Sequence, residues 1–332
     1  MNILIVTDGI PGHENQSLGL VKSLQKHTKN LTFTLHKIEY KYPIFRSLSI
    51  VLQRYLVKSL TNKNCERIIS IFKPISSLEK VDIIITTGGK CAFLVAALAN
   101  KYAKKSIQNG SFARHIPPSY ITVRIAEDTD INNKTITTLI PPNRYSIIPE
   151  LPLSGKSLFL IGGNGSGIKY NKKDIYLMLK SIKNLVHEYR ISPIIVTSRR
   201  TNIDTEVLIR DSLSSIYNTS SIWYHQGGTG ACLQNLMKQS DNIYVTEDSA
   251  MMIAEAISTG LPVTSIKAPG AKPEEKQETQ LNKYVQYGVL ERKEFGECWQ
   301  VDLPKDNRKK VKDINTSFEK ELLRALSIES ES

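Results

Sequence analysis

The sequence predicts an α/β protein built from two doubly wound parallel sheets. Three observations predict it. The 332 residues exceed the usual size of one hydrophobic core, so two domains are expected. Short β-branched runs recur (MNILIV, VDIIITT, SLFLI, PIIVT, NIYVT), each followed by glycine or small polar residues and then a helical pattern. That alternation of strand, loop and helix is the signature of βαβ units. It occurs in both halves, on either side of a proline-punctuated stretch holding Pro141, Pro142, Pro149 and Pro152. A boundary follows near residues 149–156. The expected division is a Rossmann-like domain over residues 1–150, a second over 151–310, and a helix with a polar tail over 311–332.

The first strand, residues 2–7, enters the loop DGIPGHENQ. Asp8, Gly9, Gly12, His13, Glu14, Asn15 and Gln16 crowd one strand-to-helix turn. Glycines there let backbone approach a ligand closely. Imidazole has an unperturbed pKa near neutrality, which makes His13 a candidate general base, with Asp8 and Glu14 beside it. The bland alternative is that His13 and Asn15 merely cap the helix. Leu31 to Tyr40 reads as the second strand. Ile44 to Leu60 is an amphipathic helix with Ile44, Leu48, Val51, Leu52 and Tyr55 on one side and Arg46, Arg54 and Lys58 off it. Such a helix can lie on a membrane or pack against the sheet, and packing is the commoner arrangement. Val81 to Thr86 is a strand leading into Thr87, Gly88, Gly89 and Lys90, then an apolar helix from Cys91 to Ala99. Lys90 would meet a negative group of a substrate, or simply start a solvated helix. Ser119 to Ile125 is a further strand.

The second half repeats the design. Ser157 to Ile161 is a strand, and GGNGSG follows before a helix near Lys172. Gly162, Gly163, Asn164 and Ser166 offer backbone N–H groups to a diphosphate. The spacing fits neither a P-loop nor a dinucleotide fingerprint. Ile194 to Val196 is a strand that runs into Ser198, Arg199 and Arg200, suited to bidentate phosphate contacts or to plain surface charge. Ile222 to Tyr224 reads as a short strand. Ile243 to Thr246 is another, ending at Glu247, Asp248 and Ser249. The helix that follows carries Met252, Ile253, Ala256 and Ile257 on one face, and Gly260 and Pro262 stop it. In open α/β sheets ligands lie beyond the carboxyl ends of the strands, against helix N-termini. Glu255 would there accept hydrogen bonds from a ribose diol, or be an ordinary solvated residue. Gln277, Gln280 and Asn282 precede a helix ending near Gly288 and could hydrogen-bond sugar hydroxyls. The last helix runs from about Asn315 to Leu326, before the polar tail SIESES.

The formal charge of +12 is uneven: residues 1–150 carry +10 and residues 151–332 carry +2. A basic first half implies an anionic neighbour, whether a phospholipid surface or a phosphorylated acceptor. Nucleic acid is disfavoured because the basic residues are scattered and no nucleic-acid motif is present. Cys65, Cys91, Cys232 and Cys298 are far apart, which suggests free thiols in a reducing compartment and no zinc site. The longest apolar run, Cys91 to Ala99, is too short to span a bilayer. MNILIV is a strand and not a signal peptide. A cytoplasmic protein is expected, with a peripheral position on the inner face of a membrane if the basic half meets lipid.

DGIPGHENQ, TGGK, LIGG, TSRR and VTEDS with its following EA and TGLPV, in this order, resemble the mitochondrial fission family named for elongated mitochondria. The resemblance runs from the first strand to about Gly288. That family in turn resembles GT-B glycosyltransferases, in which two doubly wound domains face a central cleft. The stretch from Ile243 to Ile266 is similar to the donor segment of the N-acetylglucosaminyltransferase that completes the lipid-linked peptidoglycan precursor. The resemblance implies that Glu255 holds the donor's ribose and that Glu247 touches its sugar. It implies that GGNGSG holds the diphosphate and that His13 activates an acceptor bound near Gly12, Asn15, Gln16, Gly88, Gly89 and Lys90. Gln277 and Gln280 stand where many relatives carry Phe and His residues, and GGTGACLQN where most carry Asn-Pro-Tyr. The implied activity is metal-independent sugar transfer from a nucleoside-diphosphate donor to an anionic, lipid-linked envelope acceptor, with no cofactor. Two alternatives stay open: a non-catalytic membrane adaptor of the fission family, and a dinucleotide-dependent epimerase or oxidoreductase. The missing G-x-G-x-x-G spacing argues against the second.

Overall fold

The computed structural model describes residues 1–75, 78–110, 121–125, 134–228, 233–301 and 306–328. The chain forms two compact units, Met1–Arg144 with Ile314–Ser332, and Tyr145–Asp313. The first contains strands β1 (Asn2–Thr7), β2 (Thr32–Lys37), β3 (Ile83–Thr87), β4 (Lys105–Asn109), β5 (Ile121–Ile125) and β6 (Thr135–Thr138). All are parallel, in the order β2-β1-β3-β4-β5-β6. Its helices are α1 (Pro11–Gln25), α2 (Arg46–Leu56), α3 (Asn62–Ile69) and α4 (Gly89–Lys101). The second unit contains β7 (Lys156–Ile161), β8 (Ser192–Thr197), β9 (Asn242–Thr246), β10 (Val263–Lys267) and β11 (Glu291–Glu294). These too are parallel, in the order β11-β10-β9-β7-β8. Its helices are α5 (Lys172–Tyr189), α6 (Ile203–Ser212), α7 (Leu233–Lys238), α8 (Ala250–Ile257) and α9 (Glu275–Gln286). The last helix, α10 (Arg308–Leu326), closes the chain, and from Ile314 it belongs to the first unit. The fold class is the expected one: two Rossmann-like, doubly wound parallel sheets.

Both sheets wind in the same way. The chain steps from β1 to β2 on one side, then returns to β3 on the other. It repeats this with β7, β8 and β9. The reversal leaves a crevice at the carboxyl ends of β1 and β3, and another at those of β7 and β9, the usual place for a ligand.

A parallel sheet is buried on both faces, and successive side chains alternate between them. Ile3, Ile5, Ile83 and Ile85 pack with Leu20 and Leu24 of α1 and with Phe318, Leu322 and Leu326 of α10. Leu4, Val6 and Ile84 face the other way, onto Cys91, Leu94 and Leu98 of α4. In the second unit Phe159, Ile161 and Ile195 pack on Ile175, Met178 and Ile182 of α5. Phe159 stacks on Tyr244 at 4.8 Å, and Tyr244 on Trp299 at 5.8 Å. Cys65 and Cys91 are buried free thiols and Cys298 is exposed. Burial pushes the Cys91 thiol up to about 12. Cys232, much of GGTGACLQN and the end of the SIESES tail lie outside the described residues.

Several elements differ from the pattern-based expectation. Ile222 forms only a bridge to Val196, and Tyr224–Gln226 is a 3-10 turn. Gln277, Gln280 and Asn282 lie inside α9 and not before it. The last helix starts at Arg308, a full two turns before Asn315. The helix expected over Ile44 to Leu60 is a 3-10 turn, Pro43–Phe45, followed by α2. Its apolar side does not pack on the sheet: Ile44, Leu48, Val51, Leu52 and Tyr55 are exposed, and Gln53 and Leu56 are buried instead.

Because Leu322 is 0% exposed in the first unit's core, Leu322→Ala is expected to lower stability by about 3 kcal/mol. The shift in a denaturant unfolding midpoint measures it, and a near-zero shift would show that α10 is dispensable to that core.

Candidate functional site

In the first unit the carboxyl edge of β1 and β3 carries a charged cluster. Pro11 opens α1, and the residue before it, Ile10, caps the helix without a side-chain bond. His13 and Asn15 therefore sit inside the first turns and do not cap. Asp8 directly follows β1, and its side chain is 3% exposed. Its Oδ1 accepts from the Ile10 N–H at 3.2 Å and meets His13 Nδ1 at 3.1 Å. The Lys90 ammonium stands 3.7 Å from Oδ2. A carboxylate on Nδ1 fixes the proton there and leaves Nε2 with its lone pair. The His13 ring lies against Gly88, whose φ of +83° and missing Cβ make room for it. Glu14, in the first turn of α1, accepts from Thr7 Oγ at the end of β1 at 3.3 Å. Lys37, at the end of β2, passes close over Gly9. The structure thus gathers Asp8, His13, Glu14, Gly88, Gly89 and Lys90, and adds Lys37. Sequence reading missed that lysine because only the β1–β2 register, Thr7 against Lys37, brings it there.

Asn15 and Gln16 do other work. Asn15 is buried, and its Oδ1 accepts from the Arg144 N–H at 3.1 Å. Gln16 Oε1 accepts from Asn109 Nδ2 at 3.0 Å. The acceptor role expected of Asn15 is therefore corrected: its carbonyl holds the chain end of the unit in place. Gly12 lies in the first turn of α1, half-buried.

In the second unit three strand ends converge. Leu160 pairs with Val245 and Ile161 with Thr197, so the loops after β7, β8 and β9 are neighbours. Asp248 is their centre, with 0% exposure. Its carboxylate accepts from Thr246 Oγ at 2.6 Å, the Gly163 N–H at 3.1 Å and Arg200 Nη2 at 2.7 Å. Burial pushes its carboxyl up, against the pull of those three donors. Burial and then the Asp248 and Glu247 carboxylates push the Tyr170 phenol up as well. The Gly162 N–H donates to Thr246 Oγ at 2.7 Å. Thr201 Oγ donates to the Gly162 carbonyl at 2.7 Å. A Cβ at Gly162 would run into the Asp248 carboxylate, and one at Gly163 into the Arg200 carbonyl. These glycines permit close approach, but their N–H groups turn inward. The expectation that Gly162 and Gly163 donate to a diphosphate is corrected accordingly.

The rest of the loop is a tight hairpin. Gly165 and Ile168 exchange backbone bonds around Ser166 at φ +49° and Gly167 at φ +83°. Asn164 is exposed, and its Oδ1 accepts from the Tyr170 N–H at 3.1 Å. Arg199 and Arg200 are exposed beside it, and Ser198 Oγ accepts from the Arg200 N–H at 3.2 Å. Ser249 caps α8 through the Met252 N–H. A cavity of about 130 Å³ opens here, lined among others by Gly163, Asn164, Tyr170, Arg200, Thr201 and Thr246. Thr201 and Thr246 were missed. Thr246 lies within VTEDS, and Thr201 directly follows TSRR. Among the described residues no three His, Cys, Asp or Glu side chains gather as a metal site. No described helix is long and apolar enough to cross a membrane.

Residues 149–310 match the family model described as Mitochondrial fission ELM1. The matched stretch contains the second-unit cluster of Gly162, Gly163, Arg200 and Asp248, and also Glu255. No curated protein matches the chain significantly. Among solved structures the chain is similar to Acinetobacter baumannii MurG, at 10% identity and TM-score 0.45, over 100% of this chain and 96% of that one. It is also similar to the S. aureus MnaA–UDP co-structure, at 16% identity and TM-score 0.45, over 98% and 91%. The E. coli ADP-heptose LPS heptosyltransferase II gives 13% and 0.45, over 98% and 99%. These are likenesses at low identity.

The two glutamates that follow β9 part company. Glu255 is half-buried in the second turn of α8. Glu247 is fully buried. Arg292 clamps its two oxygens at 2.8 Å each, and Ser265 Oγ donates to it at 2.8 Å. Arg292 also holds Glu278 at 2.7 Å and Asn282 at 3.0 Å. This pairing pulls the Glu278 carboxyl down. Fully buried and already accepting three hydrogen bonds, this carboxylate presents no oxygen at the surface to a sugar, so the donor-sugar role of Glu247 is withdrawn. Gln277 is buried and donates to the Glu247 carbonyl. Gln280 is buried beside it in α9, so these amides are part of the packing and not an exposed sugar-binding row.

Removing one partner of a buried ion pair strands the other. Glu247→Ala is expected to cost about 3 kcal/mol of stability. It should leave the affinity for any nucleotide ligand of the intact fold within about twofold of wild type. Chemical denaturation with and without ligand separates the two effects, and a large affinity loss with unchanged stability would restore Glu247 to the site.

Proposed function

We propose that the protein is a metal-independent glycosyltransferase of the GT-B type. It would move a sugar from a nucleoside-diphosphate donor to an anionic, lipid-linked acceptor at the cytoplasmic face of a membrane. The observation that carries the reading is the Asp8–His13 pair at the switch point of the first sheet. A carboxylate-oriented imidazole is the arrangement needed to take a proton from an acceptor hydroxyl. In an inverting transfer His13 Nε2 takes that proton and the acceptor oxygen bonds to the anomeric carbon. The bond to the phosphate oxygen breaks, and its electron pair leaves with the nucleoside diphosphate.

The second unit would hold that leaving group. Arg200 is pinned by Asp248 at one nitrogen and is exposed, which suits it to a diphosphate oxygen. Arg199, Asn164, Ser166 and Ser249 would complete the contact. Fixed cationic and hydroxyl groups of this kind stabilise developing charge where other folds use a metal ion. Glu255 would take the ribose hydroxyls. In the first unit Lys37 and Lys90 would meet the anionic acceptor. The family description favours one second reading, a membrane adaptor without catalysis, in which none of these groups is required.

A panel of nucleoside-diphosphate sugars at millimolar concentration tests donor binding. At least one is expected to raise the melting temperature through linkage. Silence across the whole panel would sink the transferase reading in favour of the adaptor. Arg200→Ala is expected to weaken the responding donor by roughly 10- to 100-fold, the worth of a charged hydrogen bond. His13→Ala should keep donor affinity within about twofold and lower turnover by roughly 100-fold or more. Turnover that survives His13→Ala would remove His13 as the base.

A further inference from the structure

Helix α2 is turned inside out. Leu48, Val51, Leu52 and Tyr55 fall within an arc of about 100° on the helix. Leu48 is 68% exposed, Val51 63% and Tyr55 72%. The preceding turn adds Ile44 and Phe45, 92% and 60% exposed. The opposite side is the buried one, and it carries the polar Gln53 beside Leu56 and Val57. A contiguous exposed apolar stripe, rimmed by polar residues, marks a surface that meets something.

Charge says what it meets. Residues 41–65 hold Lys41, Arg46, Arg54, Lys58 and Lys63, and no acidic residue. Lys41, Lys58 and Lys63 are exposed. Long cationic side chains flanking an apolar stripe place their stems along it and their heads at phosphate level. Phe45 and Tyr55 are aromatic, as residues at a lipid–water boundary often are. A second copy is a poor occupant, because a two-fold contact would set this uncompensated positive charge against itself. A groove-binding peptide is a poor one too, since the stripe is the exposed side of a single helix and not a groove.

We infer that the face formed by Pro43–Phe45 and α2 docks on a bilayer containing anionic lipid, with Ile44, Leu48, Val51 and Tyr55 in the acyl boundary. Two weak signals then act together, apolar insertion and electrostatic attraction, and neither suffices alone. The inference deepens the transferase reading by naming the surface that would bring the first unit to a lipid-linked acceptor.

The test sediments the full-length protein with sucrose-loaded vesicles, without any nucleotide sugar. One set is phosphatidylcholine and the other contains about 30 mol% phosphatidylglycerol, an anionic fraction that gives a negative surface potential. Partitioning onto the anionic set is expected to be at least roughly tenfold higher and to fall as salt rises. The double variant Leu48→Ser, Tyr55→Ser should lose about tenfold of it, while the double variant Lys41→Glu, Lys58→Glu should abolish the preference for anionic lipid. All four side chains are exposed, so unchanged melting curves are expected for both variants. Absence of sedimentation with either vesicle, or variants that sediment like wild type, would overturn the inference. So would a wild-type dimer that the serine variant dissolves without any vesicle binding, which would assign the face to a second copy. Because no donor is present, failure here leaves the transfer chemistry standing. A protein silent to every nucleotide sugar that still binds anionic vesicles sinks the transferase and keeps the docking face.

Discussion

The second unit is organised by one buried carboxylate. Asp248 follows β9 and is reached by a hydroxyl from β9, an amide from the loop after β7 and a guanidinium from the loop after β8. Three strand ends are thereby tied at one point. The arrangement explains why glycine stands at 162 and 163, since a side chain at either would displace the Asp248 carboxylate or the Arg200 carbonyl. It also explains why Arg200 is held in one place. A long cationic side chain normally forfeits rotamer entropy when it meets a ligand. Pinning one of its nitrogens beforehand removes part of that cost and leaves the side chain partly exposed. A charge is buried here in order to position another charge that is not.

The first unit places an aspartate on the other side of the equivalent switch point, after β1 where the second unit has it after β9. Asp8 is nearly buried like Asp248, but its partner is an imidazole. A carboxylate facing an arginine makes a fixed cation. A carboxylate facing a histidine makes a directed base, because it decides which ring nitrogen keeps the proton. The glycine at the neighbouring strand end is again a matter of space, here for the His13 ring over Gly88. Two sheets of one winding order can thus carry two unlike chemistries through the residue placed opposite an aspartate.

What the sequence revealed and what it hid divide along physical lines. Strands such as Ile83–Thr87 and Asn242–Thr246 were legible because a buried parallel strand is apolar on both faces. The loops that gather at the crevices were legible because glycine and small polar residues at a strand end have few other uses. The fate of Glu247 was not. Its partner Arg292 comes from β11, and only the pairing of Ser265 with Arg292 sets the guanidinium beside it. The spacing of Glu247 and Glu255 is compatible with two ligand-facing carboxylates and equally with one of them buried in an ion pair. Lys37 and Thr201 were likewise hidden, since register and loop packing, and not local pattern, bring them in.

Helix α2 shows the same limit in its sharpest form. Apolar periodicity establishes that a helix has two unlike sides, but it does not say which side faces the core. The protein side of that choice is made by α3 and α4. They present Cys65, Ile68, Ala92, Phe93, Ala96 and Ala97, a surface that Leu56 and Val57 complete. With that anchor at its carboxyl end, α2 is held by two apolar residues while its longer stripe stays outside. Water is a poor neighbour for such a stripe, so an isolated unit would be expected to keep it only where something else covers it part of the time. Positive charge uncompensated over residues 41–65 narrows what that cover can be. Among the described residues nothing covers the stripe of α2, and the proposed docking face would give it a neighbour.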